Sequence, residues 1–222
     1  MDITVKAFSS PLLANALSYL VSVKKSGGRD NEYVVEIGPL PLVTQQYFSH
    51  YWCESYLKKC CWVVGFYTLD ALFSLESEAR YQADRRMAFS HGELQQFLVE
   101  GVGQALELFF HQQSVAAMFA MPIRPALGKV YDRLLRRYAA EKGFIYNQTW
   151  LQEAVYVIEK SNNAMSKSII TTSKRRESLI AAKEEMLQAS MARMRQILLE
   201  YGSLEPFLGP DLSAEPELKS KR

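Results

Sequence analysis

Cysteine is scarce in this chain and poorly placed for cross-linking, since only Cys53, Cys60 and Cys61 occur among 222 residues. An odd, clustered set with two adjacent members does not staple a secreted scaffold, and without a second Cys or His group it makes no structural zinc site. Reduced thiols in a cytoplasmic protein are the expectation. Histidine is equally sparse: His50, His91 and His111 share no ligand spacing, so no metal site is expected. No stretch approaches the roughly 18 to 20 unbroken apolar residues that a bilayer-crossing helix needs. Near the amino terminus, Asp2 and the single basic Lys6 precede an apolar stretch interrupted by Ser and Asn, which does not fit a secretory signal. Excess charge of one sign is missing too. Lys and Arg number 26 against 24 Asp and Glu, a formal +2, so no whole-molecule field draws in a polyanion and nucleic-acid binding requires a local patch.

What the chain does have is material for a core. Hydrophobic residues make up 48% and aromatics 12%, enough apolar surface to offset the entropy of ordering one domain. The length favours one domain plus an appendage over two complete domains.

Ser9 and Ser10 before Pro11, with Leu13, Leu17 and Leu20 at helical spacing, predict a helix from Pro11 to Val23. A glycine-containing loop follows, then a short strand over Tyr33–Ile37 closed by Gly38 and Pro39. Val43, Tyr47, Phe48, Tyr51 and Trp52 predict a helix within Pro41–Leu57. Cys60–Leu69 is the most strand-like run of the chain. Ala71–Phe89 has a polar face without a clean period and gives no assignment. Leu94–Val99 reads as a strand, Gly101-Val102-Gly103 as a turn, and Ala105 to Phe110 as a helix. Val115–Met121 reads as a buried strand stopped by Pro122 and Pro125. A helical stripe from Leu127 to Tyr138 is capped at Gly143, and a final strand lies within Phe144–Ile158. Alternating strands and helices imply an α/β domain whose sheet is at least partly parallel.

A glycine turn between strand and helix is a natural anion site, because the backbone can approach a phosphate closely while free amides and the helix dipole stabilise its charge. Gly101-Val102-Gly103-Gln104-Ala105-Leu106 resembles the Gly-x-Gly-x-Ala-Leu start of the acetyl-coenzyme A helix in the GNAT family of N-acetyltransferases. Tyr138-Ala139-Ala140-Glu141-Lys142-Gly143-Phe144 is similar to that family's later core. Val63-Val64-Gly65-Phe66-Tyr67-Thr68-Leu69 resembles the strand that ends in Gly-Tyr/Phe-Tyr-x-Leu in its toxin-type members. Together these cover roughly Cys60 to Lys160.

The resemblance implies a GNAT-like mixed sheet flanked by helices, in which one strand splays from the next and leaves a slot for the pantetheine arm of acetyl-CoA. It implies cofactor contacts at Leu98, Val99, Gly101, Val102, Gly103, Gln104 and Ala105. Transfer of the acetyl group to an amine would be direct, with no covalent enzyme intermediate. Family members place Gln or Arg two residues further upstream in a longer loop, whereas here that loop is compressed and carries Glu100. The tyrosine that protonates the departing thiolate lies four residues before the glycine of the Gly-Phe ending. That position is Ala139 here, so the role falls to Tyr138, one residue away, or to Tyr131, two turns earlier. Glu93 is the candidate base, taking the amine proton through water, with Asp70 as a second choice.

Residues 1–160 are thus expected to form the GNAT-like domain, 161–202 a connector with an appended C-terminal amphipathic helix, and 203–222 a tail. In that helix Ile180, Leu187, Met191, Met194, Leu198 and Tyr201 share one face, which implies self-association or a protein partner. Its opposite face holds Lys174, Arg175, Arg176, Lys183, Arg193 and Arg195 among glutamates, a weaker pointer to nucleic acid. The alternative to an acetyltransferase is a catalytically inactive interaction protein with the same fold.

Overall fold

The computed structural model describes residues 1–13, 16–74, 80, 82–122 and 124–160. Seven strands form one mixed sheet: β1 Asp2–Phe8, β2 Leu17–Lys24, β3 Asp30–Pro39, β4 Cys61–Thr68, β5 Ala117–Ala120, β6 Phe144–Asn147 and β7 Tyr156–Lys160. Their order is β1-β2-β3-β4-β5-β7-β6. Every neighbouring pair is antiparallel except β4 and β5, which run parallel. The α/β class and the partly parallel sheet read from the sequence therefore stand.

Among the described residues, six α-helices flank the sheet: α1 Leu42–Phe48, α2 Glu54–Cys60, α3 Leu69–Phe73, α4 His91–Gln96, α5 Gly103–Gln112 and α6 Pro125–Tyr138. Side-chain alternation along the strands divides the core into layers. On one face, Tyr33, Val35 and Ile37 of β3 and Val21 and Val23 of β2 bury against Phe97, Ala105, Phe109 and Val130 of the α4–α5 and α6 layer. On the other, Cys61, Val63, Phe119 and Val157 pack beneath Phe48, Trp52, Leu57 and Trp150, carried largely by α1 and α2. Leu20, Val34 and Tyr67 pack there against Leu12, Leu13 and Leu72.

Three assignments are corrected. Pro11–Val23 is not a helix: Pro11–Leu13 makes a single 3-10 turn and Leu17–Lys24 is β2. β2 is hydrogen-bonded to β1 on one side and β3 on the other, so burial in a sheet overrides the helical spacing of its leucines. The second correction moves Leu94–Val99 from strand to helix. Ser90 and Glu93 form a reciprocal capping box that starts α4, and the chain passes through a π-helical turn at Phe97–Val102 directly into α5. Phe97, Gly101, Ala105 and Phe109, four residues apart, are all buried along one side of this helical stretch. At Gly101 a Cβ would lie 2.8 Å from Val21 Cγ1, so glycine is what lets the helix rest on β2. The final strand is also two strands, β6 and β7, joined through a 3-10 turn at Leu151–Glu153. The amphipathic stripe of 174–201, with its connector and tail, lies outside the described residues.

Candidate functional site

The parallel ladder between β4 and β5 is short. Cys61–Val64 pair with Ala117–Ala120, after which β5 ends and the chain turns off at Pro122, while β4 runs on beside β3 to Thr68. The edge of Gly65–Thr68 that β5 would have covered is left to a cleft of 810 Å³ that reaches both faces of the sheet. A Cβ on Gly65 would meet no atom within 4 Å, so the strand is bare where the cleft passes it.

One arm of the cleft lies on the α4–α6 face. Tyr33, Phe66, Phe89 and Phe97 give it an aromatic floor, and Ser90, His91, Arg124, Lys129 and Arg133 surround its mouth. Pro125 starts α6 and sets Arg124 just before it, and Lys129 and Arg133 follow one turn apart on the helix. Arg133 Nη1 lies 2.6 Å from His91 Nε2, a contact in which the guanidinium donates and the neutral imidazole accepts. Neither Arg124 nor Lys129 has an ion-pair partner among the described residues. This mouth is therefore a cationic rim available to an anion.

The other arm lies on the α1–α2 face, bounded by Leu12, Leu13, Gly38, Pro39 and Val63, with Glu36, Tyr67 and Arg80 inside it. Glu36 sits opposite Gly65 in the β3–β4 register. The Tyr67 hydroxyl donates to Glu36 Oε2 at 2.6 Å, and the Arg80 guanidinium lies over the Tyr67 ring, with Cζ 4.7 Å from its centroid. Asp84 also lines the cleft, hydrogen-bonded to Tyr33 of the aromatic floor. Burial alone would raise its carboxyl, but hydrogen bonds from the Tyr33 phenol, the Asn31 amide and the Met87 and Arg86 backbone hold it below the ordinary carboxylate value. The same contact and burial raise the Tyr33 phenol.

The residues singled out from the sequence fall in different places. Glu93 is the third residue of α4, where its carboxylate accepts from the Ser90 backbone and makes a 2.8 Å ion pair with Lys25. The Lys25 contact first, and then the Ser90 bonds, lower its pKa to about 2, a poor proton acceptor at neutral pH. Asp70 is paired with Arg86 near the start of α3. Leu98, Val99, Gly101 and Val102 lie in the π-helical turn, and Gly103, Gln104 and Ala105 in the first turn of α5. The amide of Gly103 donates to the Leu98 carbonyl, so the strand–turn–helix phosphate site expected there does not form. Free amides lie at a helix start, and that start is Ser90–His91, which is on the cleft. Tyr138, at the end of α6, stacks beside Arg137 with the guanidinium 5.2 Å from the ring centroid, away from the cleft lining. Tyr131 does line it, edge-on to Tyr156 at 5.7 Å, with burial raising its phenol above the ordinary tyrosine value.

Glu36, Gly65 and Arg80 went unnoticed in the sequence. Gly65 was quoted there only as part of a strand motif, and no local pattern marks the other two. No family model matches this chain, and neither a curated protein nor a solved structure does.

Proposed function

We propose that this protein is an acyl-coenzyme A dependent N-acetyltransferase of GNAT type, acting on an amine by direct transfer. The observation that carries the reading is the parting of β4 from β5 after Val64 and Ala120, with a cleft that passes beside Gly65–Thr68 from one face of the sheet to the other. The resemblance requires a splayed strand pair, and we read the end of pairing beside Gly65, rather than Val99, as its counterpart. The two arms suit two different ligands. His91, Arg124, Lys129 and Arg133 at the open mouth would hold the coenzyme's phosphates, assisted by the free amides at the start of α4. Bound coenzyme would supply an activated thioester, the acyl donor.

Within this reading the chain's own groups divide the proton work. Glu36, across from Gly65, takes the proton that the attacking amine must lose. The Tyr131 phenol, which lines the cleft, donates to the departing sulfur. As the C–N bond forms, the C–S bond breaks and its electron pair leaves on sulfur, so one proton is taken and one returned. Calorimetry with coenzyme A tests the reading. A ligand that binds only the folded state raises the melting temperature, so coenzyme A should stabilise the protein and Arg124→Ala combined with Lys129→Ala should reduce that effect. Absence of any stabilisation at millimolar coenzyme A refutes the reading.

A further inference from the structure

Resting on the acyl-transfer reading, we propose that the acceptor is a free α-amino acid with an apolar side chain, its carboxylate held by Arg80 and its amine presented to Glu36. The Arg80 side chain is nine-tenths buried, at 10% exposure, and lies against the cleft. Its Nη2 is sealed from solvent and makes no hydrogen bond. Among the described residues, the closest carboxylate oxygen, Glu36 Oε2, is 3.9 Å from Nη1, beyond hydrogen-bonding distance, and already accepts from Tyr67. Compare Lys25 and Glu93, a closed structural pair at 2.8 Å. A guanidinium that lies over the Tyr67 ring and has an unbonded edge is a fork set for a planar anion.

The charge around it selects which anion. Glu36 stands beside Arg80, which disfavours a dianionic phosphate and suits a carboxylate carried next to an ammonium group. Asp84, the other carboxylate of the cleft, already accepts four hydrogen bonds. Glu36 Oε1 has no such partner among the described residues and is left to the amine. Beyond these two charges the arm is walled by Leu12, Leu13, Pro39 and Val63, a lining that accepts an apolar side chain. The bound ammonium releases one proton to solvent before attack and a second to Glu36 as the C–N bond forms, while Tyr131 protonates the departing sulfur, so the products are an N-acyl amino acid and a free thiol.

The test is isothermal titration of the full chain with L-leucine, L-leucinamide and 4-methylpentanoate, each with and without coenzyme A. Leucine should bind at least tenfold more tightly than either analogue, each of which lacks one of its two charges. Arg80→Met should bring leucine down to the affinity of leucinamide and leave leucinamide itself unchanged, with Arg80→Lys recovering only part of the loss. Equal affinity for leucine and leucinamide, or no leucine binding in either condition, overturns the proposal. If circular dichroism shows Arg80→Met unfolded, the comparison of ligands on the parent chain decides. Coenzyme A titrated alone separates the two ideas. Leucine binding without coenzyme binding keeps the amino-acid site and removes acyl transfer, whereas coenzyme binding without leucine binding removes only the amino-acid site.

Discussion

Gly101 and Gly103 lie two residues apart in one helical stretch, and the same substitution should have different effects at each. At Gly101 a Cβ would sit 2.8 Å from Val21 Cγ1, 3.4 Å from Phe97 Cδ2 and 3.5 Å from Ile3 Cγ2. Val21 and Phe97 are fully buried, so the first contact opens to the roughly 3.5–4.0 Å of a relaxed carbon pair only by displacing β2 or the helix. Overpacking of this kind costs about 1–3 kcal/mol, and replacing glycine by alanine within a helix returns about 0.8–1.0 kcal/mol. Gly101→Ala should therefore range from neutral to about 2 kcal/mol destabilising. Gly103 has helical backbone angles, φ −60° and ψ −44°, and its Cβ would meet only the Leu98 carbonyl at 3.5 Å. There the propensity gain of about 0.8–1.0 kcal/mol is unopposed. Urea unfolding of both variants, at unchanged m, should place Gly103→Ala about 1–3 kcal/mol above Gly101→Ala. If Gly101→Ala is as stable as Gly103→Ala, the helix does not rest on β2 at that point. If Gly103→Ala is destabilised, the residue occupies a turn, as the sequence motif suggested.

Burial raises the Glu159 carboxyl, so its contribution to stability is present below the ordinary carboxylate pKa and lost as pH rises through the folded value. Glu159→Gln keeps an acceptor for Asn147 and should be more stable than the parent at pH 8, with the advantage vanishing at pH 3 in parallel thermal melts. Cys61 is pushed up to about 12 by burial, whereas the exposed Cys53 is lowered by the Ser55 hydroxyl. Iodoacetamide at pH 7.5 should therefore label Cys53 well before Cys61, as read by peptide mass spectrometry. Tyr131→Phe should lower kcat by about 10²-fold or more with little change in coenzyme affinity, if the phenol protonates the departing sulfur. Truncation after Lys160 should leave a folded domain by circular dichroism and change the molar mass measured by light scattering.

How much of this could be read from the chain depends on how local each signal was. Cys61–Thr68 was legible because its β-branched and aromatic run has one reading at any register. Leu17–Lys24 was not, since Leu13, Leu17 and Leu20 match a helical period and the strand's partner, Asp2–Phe8, must be found in space. In 91–112, Gly101 and Gly103 read as a turn and masked the stronger pattern around them. Ser90 with Glu93 is a capping box, and Phe97, Gly101, Ala105 and Phe109 keep a four-residue spacing, both visible in sequence once glycine is counted as a core residue. The site was the least legible part. Glu36, Gly65 and Arg80 come from separate segments that meet only because β3 and β4 pair in one register and β5 stops short.

That short ladder has a mechanical consequence. Among the described residues, the backbone seam between the β1–β4 ribbon and the β5–β7–β6 ribbon is four residue pairs, extended by one bond from the Ala116 amide to the Cys60 carbonyl. The β1–β4 ribbon is tied by ladders of seven or eight pairs and the β5–β7–β6 ribbon by antiparallel ladders of four, and parallel pairing is the weaker kind per residue, so the seam is where the sheet should open first under sub-global unfolding. A molecule lodged along Gly65–Thr68 would touch both ribbons and act as a replacement fifth stretch of edge. Amide exchange at Cys61–Val64 and Ala117–Ala120 should then slow on ligation more than exchange inside either ribbon, making the seam itself the reporter of occupancy.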